Sequence, residues 1–240
     1  MKKFIAMLFV VCIVFSLCAC GSSGGSGESL TFATGGESGT YYAFGSVLAQ
    51  YVSNNTDIKI TAVVGNGSQA NVEDLDSGAV QLGFCQSDVM SYAYSGTNLF
   101  AESGAVDSFS VAAALYMEQV QIVTTNPDIK TVEDLKGKTV SIGALGSGVY
   151  FNAVDVLGVY GIDAEKDITP VYQSFGDSAD SLKDGKIDAA FIVAGAPTTA
   201  ITDLATAGSV YLVSLDDSHV QSLLSASPYY TAATIKAGTY

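Results

Sequence analysis

The sequence predicts an α/β protein of two lobes, each a mostly parallel sheet flanked by helices. The first observation is a repeated step, Ser-Gly-x-aromatic-aromatic, which stands at 38–42 and again 109 residues later at 147–151. Two further matches follow at almost the same offset. They are 60–63 with 168–171, and 75–84 with 182–191. Three ordered matches indicate two copies of a unit that is about half the chain long.

Both copies have the same predicted order of elements. In the first, we expect a strand at 30–34, a turn at 35–40, a helix at 41–54, a strand at 58–64, a helix at 71–77 and a strand at 81–85. In the second, the matching elements are 139–142, 143–148, 149–160, 168–172, 178–183 and 189–193. Strands that alternate with helices form βαβ units. Gly78 and Gly185 follow the short helices, where we expect left-handed helix ends.

The N-terminus has the pattern of a secretory signal. Lys2 and Lys3 precede a charge-free run at 4–19, and Leu-Cys-Ala-Cys at 17–20 is followed by glycine. This stretch resembles the lipobox of bacterial lipoproteins, which implies cleavage before Cys20 and acylation of its thiol. The alternative is an ordinary cleaved signal. We expect a signal peptide at 1–19, a flexible tether at 20–28, and an extracytoplasmic protein that is lipid-anchored to the bacterial cell membrane.

Composition restricts the possible ligands. The formal charge is −14, and −16 without Lys2 and Lys3, so binding of nucleic acid through its phosphates is not expected. All ten basic residues are lysines, so a carboxylate ligand would be held by lysine, hydroxyls, backbone N–H groups or helix ends.

Histidine and cysteine are too scarce for a transition-metal site. His219 is the only histidine, and Cys85 would be the only thiol of the mature domain. We therefore expect no metal, no cofactor and no internal disulfide. We predict a buried, unreactive thiol at Cys85, which lies in an apolar run, and a solvated surface side chain at His219, which lies at a helix start.

The two glycine-rich turns are the candidate ligand-binding loops. Each follows a strand and leads into a helix N-terminus, where free N–H groups and the helix dipole favour an anion. The alternative is that the glycines only form tight turns and that Ser38 and Ser147 are N-caps. The paired aromatic residues favour binding, with Tyr41 or Tyr42 as a lid over the ligand. Neither loop matches the phosphate-binding or dinucleotide-binding fingerprints.

From about residue 29 to its end, the chain resembles the TAXI family, the solute receptors of tripartite ATP-independent periplasmic (TRAP) transporters. The resemblance is carried by Thr-Gly-Gly-Glu-Ser-Gly-Thr-Tyr-Tyr at 34–42, Gly-Asn-Gly-Ser at 65–68, Leu-Gly-Phe-Cys-Gln-Ser-Asp at 82–88, Tyr-Ala-Tyr at 92–94, Val-Glu-Asp-Leu-Lys-Gly-Lys-Thr-Val at 132–140, Gly-Ser-Gly at 146–148 and Ile-Lys-Ala-Gly-Thr-Tyr at 235–240.

The resemblance implies a two-lobe Venus-flytrap fold, like that of type II periplasmic binding proteins. Lobe one would span 29–117 and lobe two 118–228, with crossings near 116–118 and 227–228 as hinges and a return towards lobe one starting at 229–240. The sequence stops at Tyr240, where relatives usually continue for several more elements. We therefore expect the C-terminal part of the family fold to be missing.

The resemblance also implies a function. A receptor of this kind captures glutamate, glutamine or a small dicarboxylate between its lobes and delivers it to the membrane subunits of a TRAP transporter, without chemistry. Three alternatives remain open: a binding protein of an ABC importer, a ligand sensor, and an acyl-transfer enzyme using Ser38 or Ser147, for which no general base is evident. The expected ligand-binding residues are Thr34, Gly36, Ser38, Gly39, Thr40, Tyr41, Tyr42, Asn66, Ser68, Gln86, Ser87, Asp88, Gly146, Ser147, Gly148, Phe175, Ala194 and Pro197.

Overall fold

The computed structural model describes residues 27–240 of the chain. The expected signal peptide and the expected lipidation site Cys20 lie outside the described residues. Within 27–240, no helix is both long enough and apolar enough to cross a membrane.

The first sheet has three parallel strands. They are β1 (Ser29–Ala33), β2 (Lys59–Val63) and β3 (Leu82–Gly83), in the order β2-β1-β3. The helices of this part are α1 (Thr40–Asn55), α2 (Ser68–Asp76) and α3 (Ser87–Ser95), with a 3-10 turn at Asn98–Phe100. Each strand therefore leads into a helix at its carboxyl end, which is the arrangement that places ligand sites at that edge of a sheet.

The second sheet has five strands and mixed directions. They are β4 (Gln119–Thr124), β5 (Thr139–Ser141), β6 (Thr169–Val171), β7 (Ala189–Ala194) and β8 (Tyr211–Val213), in the order β6-β5-β7-β4-β8. The strands β5, β6 and β7 are parallel, whereas β4 is antiparallel to both β7 and β8. The helices are α4 (Val149–Val159), α5 (Phe175–Lys183), α6 (Thr199–Ala207) and α7 (Asp217–Ala226), with a 3-10 turn at Val132–Leu135.

Apolar clusters cover both faces of the second sheet. On one face, Ile122 and Val140 pack with Val156 and Leu157 of α4. On the other face, Val123, Ile192, Leu182 and Ile201 form a cluster with α5 and α6. A third cluster belongs to the first sheet's helices and includes Val72 and Val89, but it also takes in Phe151 of α4. The side chain of Phe151 thus packs one half of the molecule against the other.

The predicted α/β fold of two sheet units is confirmed, with its helices and strands in the predicted order. The bounds at 117/118 and 228/229 stay predictions. The repeat gave no indication of β4 or β8, which lie outside the two matched copies. Gly78 and Gly185 have φ angles of 75° and 67°, so the left-handed helix ends are confirmed.

Two helices begin three residues earlier than predicted, and this shift matters for the site. Helix α2 begins at Ser68 rather than 71, and α5 begins at Phe175 rather than 178. Ser174 is the N-cap of α5, where its hydroxyl accepts a hydrogen bond from the backbone N–H of Asp177. This cap allows the helix to start directly after the loop that follows β6.

The predicted surface histidine His219 is only partly solvated. Its ring stacks on Tyr160 with the centroids 3.7 Å apart, and only 29% of its side chain is exposed. Nδ1 lies 2.6 Å from Oδ2 of Asp216, the N-cap of α7, and that carboxylate also accepts a hydrogen bond from the Tyr160 hydroxyl. A helix start is polar by sequence, but this one packs its histidine on a neighbouring aromatic ring.

Candidate functional site

A cleft lies between the two sheet units, with an empty volume of about 590 Å³ when its part open to solvent is included. Residues of both units line it. They are Gly35, Gly36, Gly39, Thr40, Tyr41, Gly65, Asn66, Gly67, Ser68, Gln86, Glu118, Ala144, Ser147, Gly148, Val149, Gln173, Ser174, Phe175, Val193 and Ala194.

Five helices point their N-termini into this cleft. The lining residues include the starts of α1 and α2, the residue before α3, and the starts of α4 and α5. Each helix has at least nine residues. Unpaired first-turn N–H groups and the helix dipole make such an end favourable for negative charge. The convergence of five of them concentrates this preference in one small volume.

The start of α4 carries a polar side chain that lacks a partner. The Ser147 side chain is only 6% exposed, and its Oγ has no hydrogen-bond partner within residues 27–240. Helices α1 and α4 also have no side-chain cap hydrogen bond in the described part of the chain. A buried hydroxyl without a partner is costly unless something else satisfies it. Ser147 lines the cleft, so a bound molecule can supply that hydrogen bond.

Glu118 is the only carboxylate among the lining residues and was not among the predicted site residues. It immediately precedes β4, and its Oε2 accepts a hydrogen bond from the Tyr41 hydroxyl at 3.2 Å. Burial, reinforced by the charge of Asp88, raises the pKa of Glu118 to about 8, although the Tyr41 hydrogen bond opposes this. No lysine lines the cleft, so nothing in its described wall neutralises Glu118.

Tyr41 forms one wall of the cleft. Its ring stacks on Phe84 with centroids 4.7 Å apart, and its hydroxyl lies within hydrogen-bond distance of both Ser68 and Glu118. Burial raises the pKa of Tyr41 well above its ordinary value, so the hydroxyl remains a donor. Tyr42, the other proposed lid, does not line the cleft. Adjacent helical residues point about 100° apart, and it is Tyr41 that faces inwards.

The two units contact each other on both sides of the cleft. On one side, the backbone N–H of Ala200 donates to the carbonyl of Ser38 at 3.2 Å, and Thr40 Oγ1 donates to the carbonyl of Gly195. On the other side, the N–H of Ala70 donates to the carbonyl of Gly146 at 3.0 Å. The molecule therefore has its lobes closed over the cleft.

Glycines stand where these contacts are closest. A Cβ atom on Gly148 would lie 1.5 Å from Oε1 of Gln86, and one on Gly67 would lie 3.4 Å from the Cα of Ser147. The φ of Gly67 is 107°, which also disfavours a side chain. These glycines thus allow the lobes to approach each other, in addition to exposing backbone N–H groups to the cleft.

Behind the cleft, a polar network joins the lobes. Asn152 of α4 is 2% exposed, and its Oδ1 accepts a hydrogen bond from Gln86 Nε2 at 2.8 Å. Its Nδ2 donates to Asp88 at 3.1 Å and to the Tyr230 hydroxyl at 2.8 Å. Tyr230 in turn donates to Asp155. The network ties α3, α4 and the segment after α7 together.

Eleven of the eighteen residues predicted to bind ligand line the cleft. They are Gly36, Gly39, Thr40, Tyr41, Asn66, Ser68, Gln86, Ser147, Gly148, Phe175 and Ala194. Their role as ligand contacts stays a prediction, but the fold brings them into one cleft.

The other seven do not line the cleft. Ser38 and Gly146 use their carbonyls in the contacts between lobes, and Asp88 belongs to the network around Asn152. Thr34 is buried beneath the cleft, where its hydroxyl donates to the carbonyl of Val63. The remaining three are Tyr42, Ser87 and Pro197, of which the last two are exposed.

Sequence reasoning missed several lining residues. Gln173 and Ser174 follow β6, as Gly65 and Asn66 follow β2, so the repeat itself could have indicated them. Glu118 has a weaker signal: it is a carboxylate at the predicted crossing between the lobes and directly precedes an apolar run.

The cleft offers no evident machinery for acyl transfer. Ser147 Oγ has no partner within 27–240, so no general base contacts it there, and His219 is engaged with Asp216. Cys85 lies beside the cleft, and burial raises the pKa of its thiol to about 12, which makes it a poor nucleophile. Among the described residues, no group of three or more metal-ligating side chains occurs.

Solved structures of several binding proteins resemble this fold. The alkanesulfonate-binding protein SsuA from Xanthomonas axonopodis pv. citri, bound to MOPS, has a TM-score of 0.53 and 21% identity over 78% of this chain and 60% of its own. An ancestral arginine-binding protein bound to arginine has a TM-score of 0.53 and 18% identity over 77% of this chain and 78% of its own. A binding protein of an ABC phosphonate transporter from Pseudomonas aeruginosa has a TM-score of 0.53 and 14% identity over 83% of this chain and 73% of its own.

The chain thus spans about 60% of the length of the alkanesulfonate-binding protein. At these identities the similarity shows the fold alone, which is that of periplasmic binding proteins. A sequence model of the NMT1-like family matches residues 32–240, which is most of the chain. The chain therefore belongs to the NMT1-like family.

Proposed function

We propose that the protein is an extracytoplasmic solute-binding protein that captures a small organic anion or amino acid between its lobes and delivers it to a membrane transporter. The observation that carries this proposal is the closed cleft lined by five helix N-termini. Ser147 at its wall has a buried hydroxyl that a solute can satisfy. The fold also supports the proposal, because it is shared with an alkanesulfonate-binding protein, an arginine-binding protein and a binding protein of an ABC phosphonate transporter.

The transporter that we propose is of the TRAP type, with this chain as a TAXI receptor. Its support is the set of sequence motifs at 34–42, 65–68, 82–88 and 146–148, each of which contributes residues to the cleft at the start of a helix. The alternative partner is an ABC importer, favoured by the similarity to the binding protein of an ABC phosphonate transporter. An ATPase gene beside this one would favour the ABC importer, and a large membrane protein without an ATPase would favour TRAP.

We also propose that lipid on Cys20 holds the protein at the cell membrane. The support is the lipobox-like stretch that ends the charge-free run. The Cys20→Ser variant should be released from membranes and should lack the mass of the lipid. Membrane association without any difference in mass between the two proteins would contradict this part of the proposal.

Solute binding itself is tested by thermal shift and calorimetry with a panel of L-amino acids, dicarboxylates and alkanesulfonates. We expect one class to raise the unfolding temperature and to bind with a stoichiometry of one. The Gly148→Ala variant is the matched negative, because its Cβ would clash with Gln86 and hinder closure. No binding by any class would contradict the proposed function.

A further inference from the structure

We propose that the cleft selects a zwitterionic solute: Glu118, together with Tyr41, binds the protonated amine, and the helix N-termini around Ser147 bind the anionic group. This inference rests on the proposed solute-binding function and specifies its ligand class. It distinguishes an α-amino acid from a dicarboxylate or an alkanesulfonate, which carries no cation.

The cleft has two chemically distinct parts. The helix starts provide N–H donors, and Ser147 adds a nearly buried hydroxyl without a partner among residues 27–240. These groups favour an anion. Glu118 is the opposite kind of group, an acceptor in the same cleft. A dianion would place a second anionic group against Glu118, which would then have to stay protonated, so a dianion gains no ion pair in this part of the cleft.

The surroundings of Glu118 offer no cation to its ionised form. The three ion pairs in the described part of the chain are Lys166–Asp163, Lys186–Asp184 and His219–Asp216, and none involves it. Its hydrogen-bond partner is the Tyr41 hydroxyl. A carboxylate without a cationic partner is expensive to bury. A ligand ammonium would provide that partner, and the aromatic face of Tyr41 would favour the same cation.

The titratable groups that face Glu118 are Tyr41 from α1, Cys85 from the loop between β3 and α3, Asp88 from α3, and Tyr116. Burial raises the pKa values of Tyr41, Cys85 and Tyr116 further above their ordinary values, so these three stay uncharged at neutral pH. The pKa of Asp88 is also raised, chiefly by burial. No lysine is among them. A cation that binds near Glu118 is therefore not opposed by positive charge.

Binding of an ammonium should release a proton. Burial raises the pKa of Glu118 to about 8, so the free protein holds this group mainly protonated near pH 6.5, whereas the ammonium requires the carboxylate. Close to one proton should thus leave per ligand bound. The affinity should rise by up to about tenfold for each pH unit between 6 and 7.

The test compares two pairs of probes that differ only in the α-amine: L-glutamine with glutaramate, and L-glutamate with glutarate. Calorimetry at pH 6.5 in buffers of different ionisation enthalpy gives the affinity and the protons released. We expect at least one amino acid to bind about thirtyfold or more tightly than its deaminated partner, with proton release. The Glu118→Gln variant should lose the release and most of this preference, whereas Glu102→Gln, at an exposed glutamate, should keep both.

Other outcomes overturn the inference in distinguishable ways. If glutarate or glutaramate binds as tightly as its amino acid, and without proton release, the cation subsite is wrong while the proposed function stands. If Glu118→Gln binds the amino acid like the unchanged protein, Glu118 is not the group that recognises the amine. If none of the four probes, and no member of the wider panel, binds, the proposed function fails and the inference fails with it.

Discussion

Asn152 accepts a hydrogen bond from Gln86, with 2.8 Å between Oδ1 of Asn152 and Nε2 of Gln86. The two residues belong to different lobes, and Gln86 also lines the cleft. Closure of the lobes and the shape of the cleft are therefore connected through one pair of amide side chains. This relationship has consequences for stability and for binding.

The Asn152→Ala change should weaken both stability and solute binding. It removes one acceptor and two donors from a buried site and leaves Gln86, Asp88 and Tyr230 without these partners. We expect the free energy of unfolding to fall by about 1–3 kcal/mol and the solute affinity by about tenfold. Urea denaturation and calorimetry measure the two effects. Asn54→Ala, at an exposed position of α1, is the control and should change the free energy of unfolding by less than about 0.5 kcal/mol. Equal losses of stability and affinity in the two variants would contradict the role of Asn152.

A glycine-to-alanine change should have different effects at Gly148, beside the cleft, and at Gly158, near the end of α4. Gly148→Ala places its Cβ 1.5 Å from Gln86 Oε1, so Gln86 must move and give up its contact with Asn152. We expect at least about a tenfold loss of solute affinity. Gly158→Ala lies near the end of the same α4 and meets nothing within 4 Å. It should bind like the unchanged protein and be as stable or slightly more stable.

Calorimetry and thermal unfolding of both variants decide this prediction. Undiminished affinity in Gly148→Ala would mean that the loop is only a structural turn.

The sequence was sufficient for the features that depend on local chemistry. The repeat, in which each strand leads into a helix, predicts Gly36, Gly39, Gly146, Ser147 and Gly148, and these residues do lie at the cleft or at the lobe contacts around it. Gly78 and Gly185 end helices by their own conformational freedom, which a sequence reveals.

Other features depend on what the chain meets far away in sequence. Strand β4 is antiparallel to β7 and β8, and no local pattern in 119–124 reveals its partners. Asn152 reads as a polar residue within a helix, yet it is buried against groups 64 to 78 positions away. Glu118 acquires its raised pKa chiefly from burial in the folded chain, which the residues around it in sequence do not reveal. Tertiary packing, rather than local propensity, determines the partners and the burial of such residues.

The stability of the protein should fall as the pH rises towards 8, in part through Glu118. Its folded-state pKa of about 8 is raised above the ordinary value of 4.5, so the folded state keeps a proton that the unfolded chain releases. This contribution is fully present below about pH 4.5 and is lost as the pH rises through 8, at no more than about 1.4 kcal/mol per pH unit.

Urea denaturation between pH 5 and 9 measures this slope. The Glu118→Gln variant carries no such proton, so its stability should depend less on pH in this range and should exceed that of the unchanged protein at pH 8. Glu102→Gln should retain the original slope. A slope that is the same in all three proteins would exclude the raised pKa.

Cys85 should react slowly with alkylating reagents in the folded protein. Burial, and then the charges of Asp88 and Glu118, raises the pKa of its thiol to about 12, so little thiolate exists at pH 8. We expect iodoacetamide to modify Cys85 about a hundredfold more slowly in the native protein than in urea. Mass spectrometry of the Cys85 peptide gives both rates without interference from other cysteines. Similar rates in the two states would show that the thiol is accessible and easily ionised.

Native mass spectrometry shows whether the two lobes enclose a small solute. The chain is purified without denaturation and measured as obtained, and then measured again after incubation with the panel of solutes. We expect a complex with one solute molecule per chain for the unchanged protein and for Gly158→Ala, and its loss in Gly148→Ala. The unchanged chain free of any bound small molecule, both as purified and after incubation with every member of the panel, would contradict the account.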